Sequence, residues 1–211
     1  MVFSTVYGKF TKILNCTGYI FTNCIPYVRN NLIILNKKSS MEIISKFTVG
    51  SEEGISDLIT IIDSSVEALH QKMIPTEEIK KYISTGIDPR KMINDLNDLS
   101  NQLIMTYADG QPVGYSIIKS GALPPNGSEG KRTTEMSFVI IPAFNTAEVR
   151  QSLWKKSRSA VSFTDIVWIN MLDHDPLMEF FKESGFSVTG TAQAGPFQLP
   201  SQILEMDIQK N

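Results

Sequence analysis

Apolar and polar positions are most regularly ordered between 133 and 186. The run TTEMSFVII at 133–141 places Met136, Phe138 and Ile140 on one face and Val139 and Ile141 on the other. Such a pattern predicts a strand covered on both sides. A turn, PAFNTAEV, leads into a helix through Ala160, then a second apolar run, DIVWINML, at 165–172, and a second helix in DHDPLMEFFKESGF. Strand, helix, strand, helix in this order predicts parallel pairing through a right-handed crossover, with helices packed on the sheet.

Upstream, IISKFTV at 43–49 predicts an edge strand. Ser51 before Glu52 and Glu53 reads as the N-cap of a helix with acids in its first turn. Ile55, Leu58, Ile59, Ile62, Val66 and Leu69 then fall on one helical face, which is a core-packing pattern. Pro75 and Thr76 open a shorter helix through Ser84, Gly86 breaks it, and Asp88 with Pro89 starts a third. LIMTY and VGYSII are two strands joined at Asp109-Gly110, a strong hairpin signal. The stretch SGALPPNGSEGKR reads as a loop. After Phe186, two closing strands flank a turn near Gly195-Pro196. No internal repeat and no second domain interrupts this order.

Length and composition add limits. With 211 residues, 42% hydrophobic and 20% charged, the chain suits one domain with a real core. Residues 1–40 contribute five basic and no acidic residues to the net charge of -2, so the remainder carries -7. That balance gives no basic footprint for nucleic acid and draws a small cation toward the body. No apolar run reaches the ~18–20 residues of a membrane span. The only cysteines, Cys16 and Cys24, support neither a zinc site nor a disulfide framework and fit a reducing, cytoplasmic setting. Residues 1–40 show no sustained period and are read as an N-terminal extension outside the fold. Their lack of acids also fits a transit peptide, while their single arginine does not. The domain is 41–211.

The layout of strand, Pro-x-aromatic-polar, helix, strand and Phe-aromatic-x-x-x-Gly-Phe resembles the GCN5-related N-acetyltransferases. The residues that carry it are Phe138 to Phe144, with Pro142 closing the strand, and Phe180, Phe181, Gly185 and Phe186. The resemblance spans about 43–208. The region 58–121, with Pro75, Glu77, Ile79 and Tyr82 in the pattern Pro-x-Glu-x-Ile-x-x-Tyr, further resembles bacterial spermidine/spermine acetyltransferases of the sporulation-regulator type. It implies a single α/β domain: a mixed, mostly antiparallel sheet with helices on both faces. Its parallel pair would be the strands at 133–141 and 165–172. It also implies acetyl-CoA as co-substrate, with no metal, and a small amine, polyamines included, as acceptor. A homodimer is compatible with it; nucleic acid and membrane are not expected as partners.

Acetyl transfer needs a polarised thioester, a neutral and aligned amine, and a proton for the leaving thiolate. In the family, the strand matching Phe138, Val139, Ile140 and Ile141 binds the pantetheine arm through its backbone. The next helix N-terminus binds pyrophosphate through a glycine-rich loop. The matching residues here are Asn145, Thr146, Ala147, Glu148, Val149 and Arg150, and Glu148 and Arg150 fill both glycine positions. Asn145 and Glu148 have the spacing of a capping box, which would occupy the same N–H groups. Glu148 would repel phosphate, and Arg150 would supply a compensating cation.

Phe181 stands where many members carry a tyrosine acid, and phenylalanine cannot donate a proton. His174, matching the family's asparagine, is the substitute candidate; its plain reading is a surface residue. Glu135 at the start of the central strand is the candidate base, acting through water, or else a strand-end charge. Tyr107 and Tyr115 read as half-buried sheet aromatics, and His70 either as a residue facing the acceptor groove or, more plainly, as a helix C-terminal residue favourable to the dipole. Two functions follow: an acetyl-CoA-dependent N-acetyltransferase, or a degenerate relative that binds without transfer.

Overall fold

A computed structural model describes residues 41–128 and 130–209, and the expected extension at 1–40 lies outside them. The chain runs β1 (Ile43–Thr48), α1 (Glu52–His70), α2 (Thr76–Thr85), α3 (Pro89–Leu96), β2 (Asn101–Ala108), β3 (Gln111–Ser120), β4 (Thr133–Ile140), α4 (Ala147–Ala160), β5 (Ile166–Leu172), α5 (Met178–Glu183), β6 (Ser187–Ala194) and β7 (Leu199–Asp207). One seven-stranded sheet has the order β1-β2-β3-β4-β5-β7-β6. All neighbours are antiparallel except β4 and β5.

Local signals account for many boundaries. The Ser51 side chain accepts from the Gly54 amide at 3.2 Å, and Asp88 accepts from the Arg90 amide at 2.9 Å, so both expected caps form. Asp109 and Gly110 both adopt positive φ, 48° and 81°, as the tight β2–β3 hairpin requires. On one side of the sheet, Ile55, Leu58 and Ile61 of α1 pack with Leu103 and Met105 of β2, flanked by Tyr115, Ile117, Val139 and Ile141. The helical pattern had assigned that face to Ile59 and Ile62; these lie at its margin, and Ile61 is fully buried. The alternate strand residues Ile104, Ile118, Met136, Phe138 and Ile140 are buried on the opposite side with Leu153, Trp154 and Phe181 of α4 and α5. Helices therefore cover both faces.

β4 and β5 pair only at Thr133–Ile166, Thr134–Val167 and Glu135–Trp168. A polar clamp fixes this paired end. The Arg132 guanidinium meets Asp165 through Nη2–Oδ1 at 2.8 Å and Nε–Oδ2 at 3.3 Å, and the Arg132 amide adds a bond to Oδ2 at 2.8 Å. In return, the amides of Asp165 and Ile166 donate to the Arg132 carbonyl. The Thr164 hydroxyl also donates to that carbonyl and accepts from Thr134. Hydrogen bonding from Arg132 holds the Asp165 carboxyl down at about 2.

A depressed folded-state value means that the clamp contributes stability above about pH 4 and loses it as pH falls toward 2. Melting temperatures of the wild type and Asp165→Asn should therefore differ at pH 5 and converge near pH 2. A constant difference across that range would show that the carboxylate charge plays no part.

Candidate functional site

Beyond Glu135 and Trp168 the two strands separate, while β5 keeps β7 as its partner along Ile166–Leu172. The Ile141 amide donates to the Val113 carbonyl of β3. Backbone groups alternate sides along a strand, so Val139 also turns its N–H and C=O toward β3. Phe138 and Ile140 turn theirs the other way, beyond the last β5 pair at Glu135–Trp168, to an edge against which the described residues place no strand. Of the four strand positions expected to bind a ligand arm through the backbone, Phe138 and Ile140 have their groups on that open edge. The backbone of Val139 and Ile141 serves the sheet.

The chain leaves β4 through a short 3-10 turn, Pro142–Phe144, and enters α4. The cap of α4 is Thr146, whose hydroxyl accepts from the Val149 amide at 3.3 Å. This corrects the expected Asn145–Glu148 box: the cap lies one residue later, which puts Glu148 at the second helical position instead of the third. Asn145 serves Arg150 instead. Arg150 Nη1 donates to the Asn145 carbonyl at 3.0 Å and to its side-chain oxygen at 2.9 Å, and the guanidinium lies 5.8 Å from the Phe180 ring centre. One cation is thereby fixed beside the start of α4. Ala147 and Glu148 are exposed there. Orphan amides and the helix dipole favour an anion at such an end, the Arg150 charge adds to this, and the Glu148 carboxylate opposes it.

Phe181 is fully buried. Its ring meets those of Phe138 at 5.0 Å, Phe186 at 5.2 Å, Phe180 at 5.3 Å and Trp154 at 5.9 Å, all near perpendicular or steeply inclined. Edge-to-face pairs of this kind contribute about 0.5–1.5 kcal/mol each beyond their buried area. The cluster ties β4 to α4 and α5 on the side of the sheet away from α1. Phe181 offers packing there and no proton.

On the α1 side, Glu135 is half-buried and belongs to the last pair before the strands part. His174 is exposed, and its Nε2 lies 2.9 Å from the Leu69 carbonyl; since a carbonyl only accepts, this nitrogen donates. His70 is the last residue of α1, as its sequence position suggested, and is only 3% exposed. Its Nδ1 lies 2.8 Å from the Val66 carbonyl, and burial, opposed by that bond, lowers its pKa. Its ring meets Phe197 at 5.1 Å, and Phe197 meets Tyr82 at 5.8 Å. Asp63, half-buried on α1, has its pKa raised by burial. Burial and then the Asp63 charge raise Tyr82, while burial and then Tyr82 raise Tyr115. Asp63, His70, Tyr82, Tyr115 and Phe197 are thus neighbours on the α1 side of the sheet, and Tyr115 pairs with Val139 in register. Sequence reading missed Asp63, Tyr82 and Phe197; the available signal was the seven-residue interval from Asp63 to His70, two turns on one face.

Tyr107 lies elsewhere. It donates to Asp57 at 2.8 Å and lies under Lys46, in a separate cleft of ≈ 390 Å³ near the β1 edge. Among the described residues, no helix is long and apolar enough to cross a membrane, and no group of three or more His, Cys, Asp or Glu could hold a metal.

No protein-family model and no curated protein matches the chain. Solved structures do. The PaiA N-acetyltransferase of Thermoplasma acidophilum in complex with coenzyme A superposes with a TM-score of 0.61 at 15% identity, over 79% of this chain and 99% of its own. A putative acetyltransferase, yncA, of Salmonella typhimurium with acetyl-CoA gives 0.58 at 13% identity, over 80% and 95%. The aminoglycoside N(6')-acetyltransferase of Legionella pneumophila gives 0.54 at 15%, over 83% and 97%. The seven-stranded order, the short parallel β4–β5 pair and the helices on both faces are thus the fold of the GCN5-related N-acetyltransferases.

Proposed function

We propose that the chain is an acetyl-CoA-dependent N-acetyltransferase acting on a small amine. The observation that carries this reading is the early parting of β4 and β5, which leaves the backbone groups of Phe138 and Ile140 open. An extended amide-bearing ligand arm would complete that edge as an added strand. Acetyl-CoA, when bound, supplies an activated acetyl group on a thioester. The residues fit such a ligand: an open edge for the arm, then the start of α4 with Thr146, Ala147 and Arg150 for its anionic end.

Glu135, at the vertex of the parting strands and on the α1 face, is assigned the base that receives the amine's proton. His174 is the proton-donor candidate, and it delivers a proton only by giving up its bond to Leu69. Polyamines are the finer acceptor class, supported by the resemblance of 58–121 and by the acidic body. Fully buried Phe181, which has no hydroxyl, favours a second reading: a relative that binds the coenzyme without transferring its acetyl group.

Calorimetric titration with acetyl-CoA at fixed ionic strength tests the proposal. The wild type should saturate at one site per chain. Glu148→Gly should bind about two- to fivefold more tightly, since one charge at a helix N-terminus is worth about 0.3–1 kcal/mol. Absence of saturation in both proteins would overturn the reading. Saturation without acetyl transfer to any small amine would establish the second.

A further inference from the structure

The sheet ends on β1 and β6, and each turns one row of backbone groups away from it. β6 carries a bulge between Val188 and Gly190, an irregularity that spoils an edge for further pairing. β1 has none, and Ile43–Thr48 pair one for one with β2. The Asp109 amide donates to the Glu42 carbonyl, so the backbone of Glu42 turns inward to β2. Alternation turns that of Ile44 and Lys46 inward as well, and that of Ile43, Ser45 and Phe47 outward. The Ser45 hydroxyl lies 2.8 Å from those of Thr106 and Ser152, which fixes this edge to β2 and to α4.

The side chains along the edge are unspent. Ile44 and Phe47 are 47% and 51% exposed. Glu42 and Lys46 are exposed, and among the described residues neither side chain takes part in an ion pair. A lysine in an edge normally discourages a further strand. Here it stands four residues from a carboxylate on the same face of the strand. Two antiparallel copies of β1 related by a two-fold axis at Ile44 bring Glu42 of each opposite Lys46 of the other. Ile44 then meets Ile44, and Ile43 lies opposite Ser45. The outward groups of Ile43 and Ser45 form the hydrogen-bonded pair, and Ile44 the non-bonded one, as an antiparallel ladder requires. An axis at Ser45 would set Lys46 against Ile44, and an axis at Lys46 would set two ammonium groups together. Opposite charges across a ladder stabilise it and like charges destabilise it, so the register at Ile44 is selected.

We propose that the β1 edge is the interface of a homodimer, two copies of the chain pairing β1 to β1 about Ile44 into one continuous sheet. The same operation sets the cleft beside Tyr107 next to its own copy, because Glu42, Ile44 and Lys46 line it. The proposal does not depend on the acetyl-transfer reading.

Sedimentation velocity of the full chain, from micromolar to near-millimolar concentration at fixed ionic strength, tests it. The wild type should pass from monomer to dimer across that range. Glu42→Lys and Lys46→Glu should each weaken association by about tenfold, since two exposed charge pairs per dimer turn from attraction to repulsion. The two substitutions together should restore it to within about threefold. Ile43→Pro removes an outward N–H at the first position of the strand, where proline is tolerated, and should leave a monomer that still melts cooperatively. A wild type that stays monomeric would overturn the proposal, as would a dimer indifferent to the single reversals or not rescued by the double one. Slow amide exchange at Ser45 and Phe47 in a monomeric wild type would name residues 1–40 as the occupant of the edge instead.

Discussion

Three residue pairs are all that join β4 to β5, and the molecule's candidate chemistry depends on that brevity. A parallel pair must be held at one end if it is to part at the other, and the Arg132–Asp165 clamp does the holding. β5 stays anchored when it leaves β4, because β7 pairs its other edge along its whole length. β4 keeps β3 in the same way. The unmet backbone groups are confined to the facing edges between the strands. Unpaired edges are normally a liability that folds conceal, so an open one inside a sheet points to a ligand.

The two sides of the sheet support this opening differently. Away from α1, the ring cluster around Phe181 fastens β4 to α4 and α5, while Arg150 is drawn toward Asn145 and Phe180 at the start of α4. That side is rigid, aromatic and without a proton donor at Phe181. The α1 side carries the half-buried Glu135 and, on α1, Asp63 Oδ1 and His70 Nε2, two buried atoms without a hydrogen-bond partner. Aromatic packing and the Arg150 cation lie on one side, and the candidate base Glu135 on the other. The division follows from period-2 alternation along β4, where Phe138 faces one layer and Val139 the other.

Much of the fold was legible because its signals are local. The alternation at 133–141, the caps at Ser51 and Asp88, and the Asp109-Gly110 turn each depend on neighbours a few residues away. The cap of α4 misled because Asn145 and Thr146 both have capping side chains, and the choice was settled by a guanidinium five residues on. Ile61 was missed because α1 turns slightly more of its surface to the sheet than the strongest apolar stripe suggested. The length of the β4–β5 pairing was not legible at all, since it depends on where β7 lies. The cluster around Tyr82 was hidden for a related reason: residues 63, 70, 82, 115 and 197 come from three elements and a turn, and only folding brings them together.

The central claim is that the free edge of β4 is a ligand edge, and amide exchange reads it directly. Hydrogen exchange at single-residue resolution, with and without saturating acetyl-CoA, distinguishes amides that turn toward β5 from those already bonded to β3. The amides of Phe138 and Ile140 should exchange rapidly in the free protein and slow by about tenfold or more on saturation. Those of Val139 and Ile141 should be slow in both states. Unchanged exchange at Phe138 and Ile140, with the coenzyme demonstrably bound, would contradict the account.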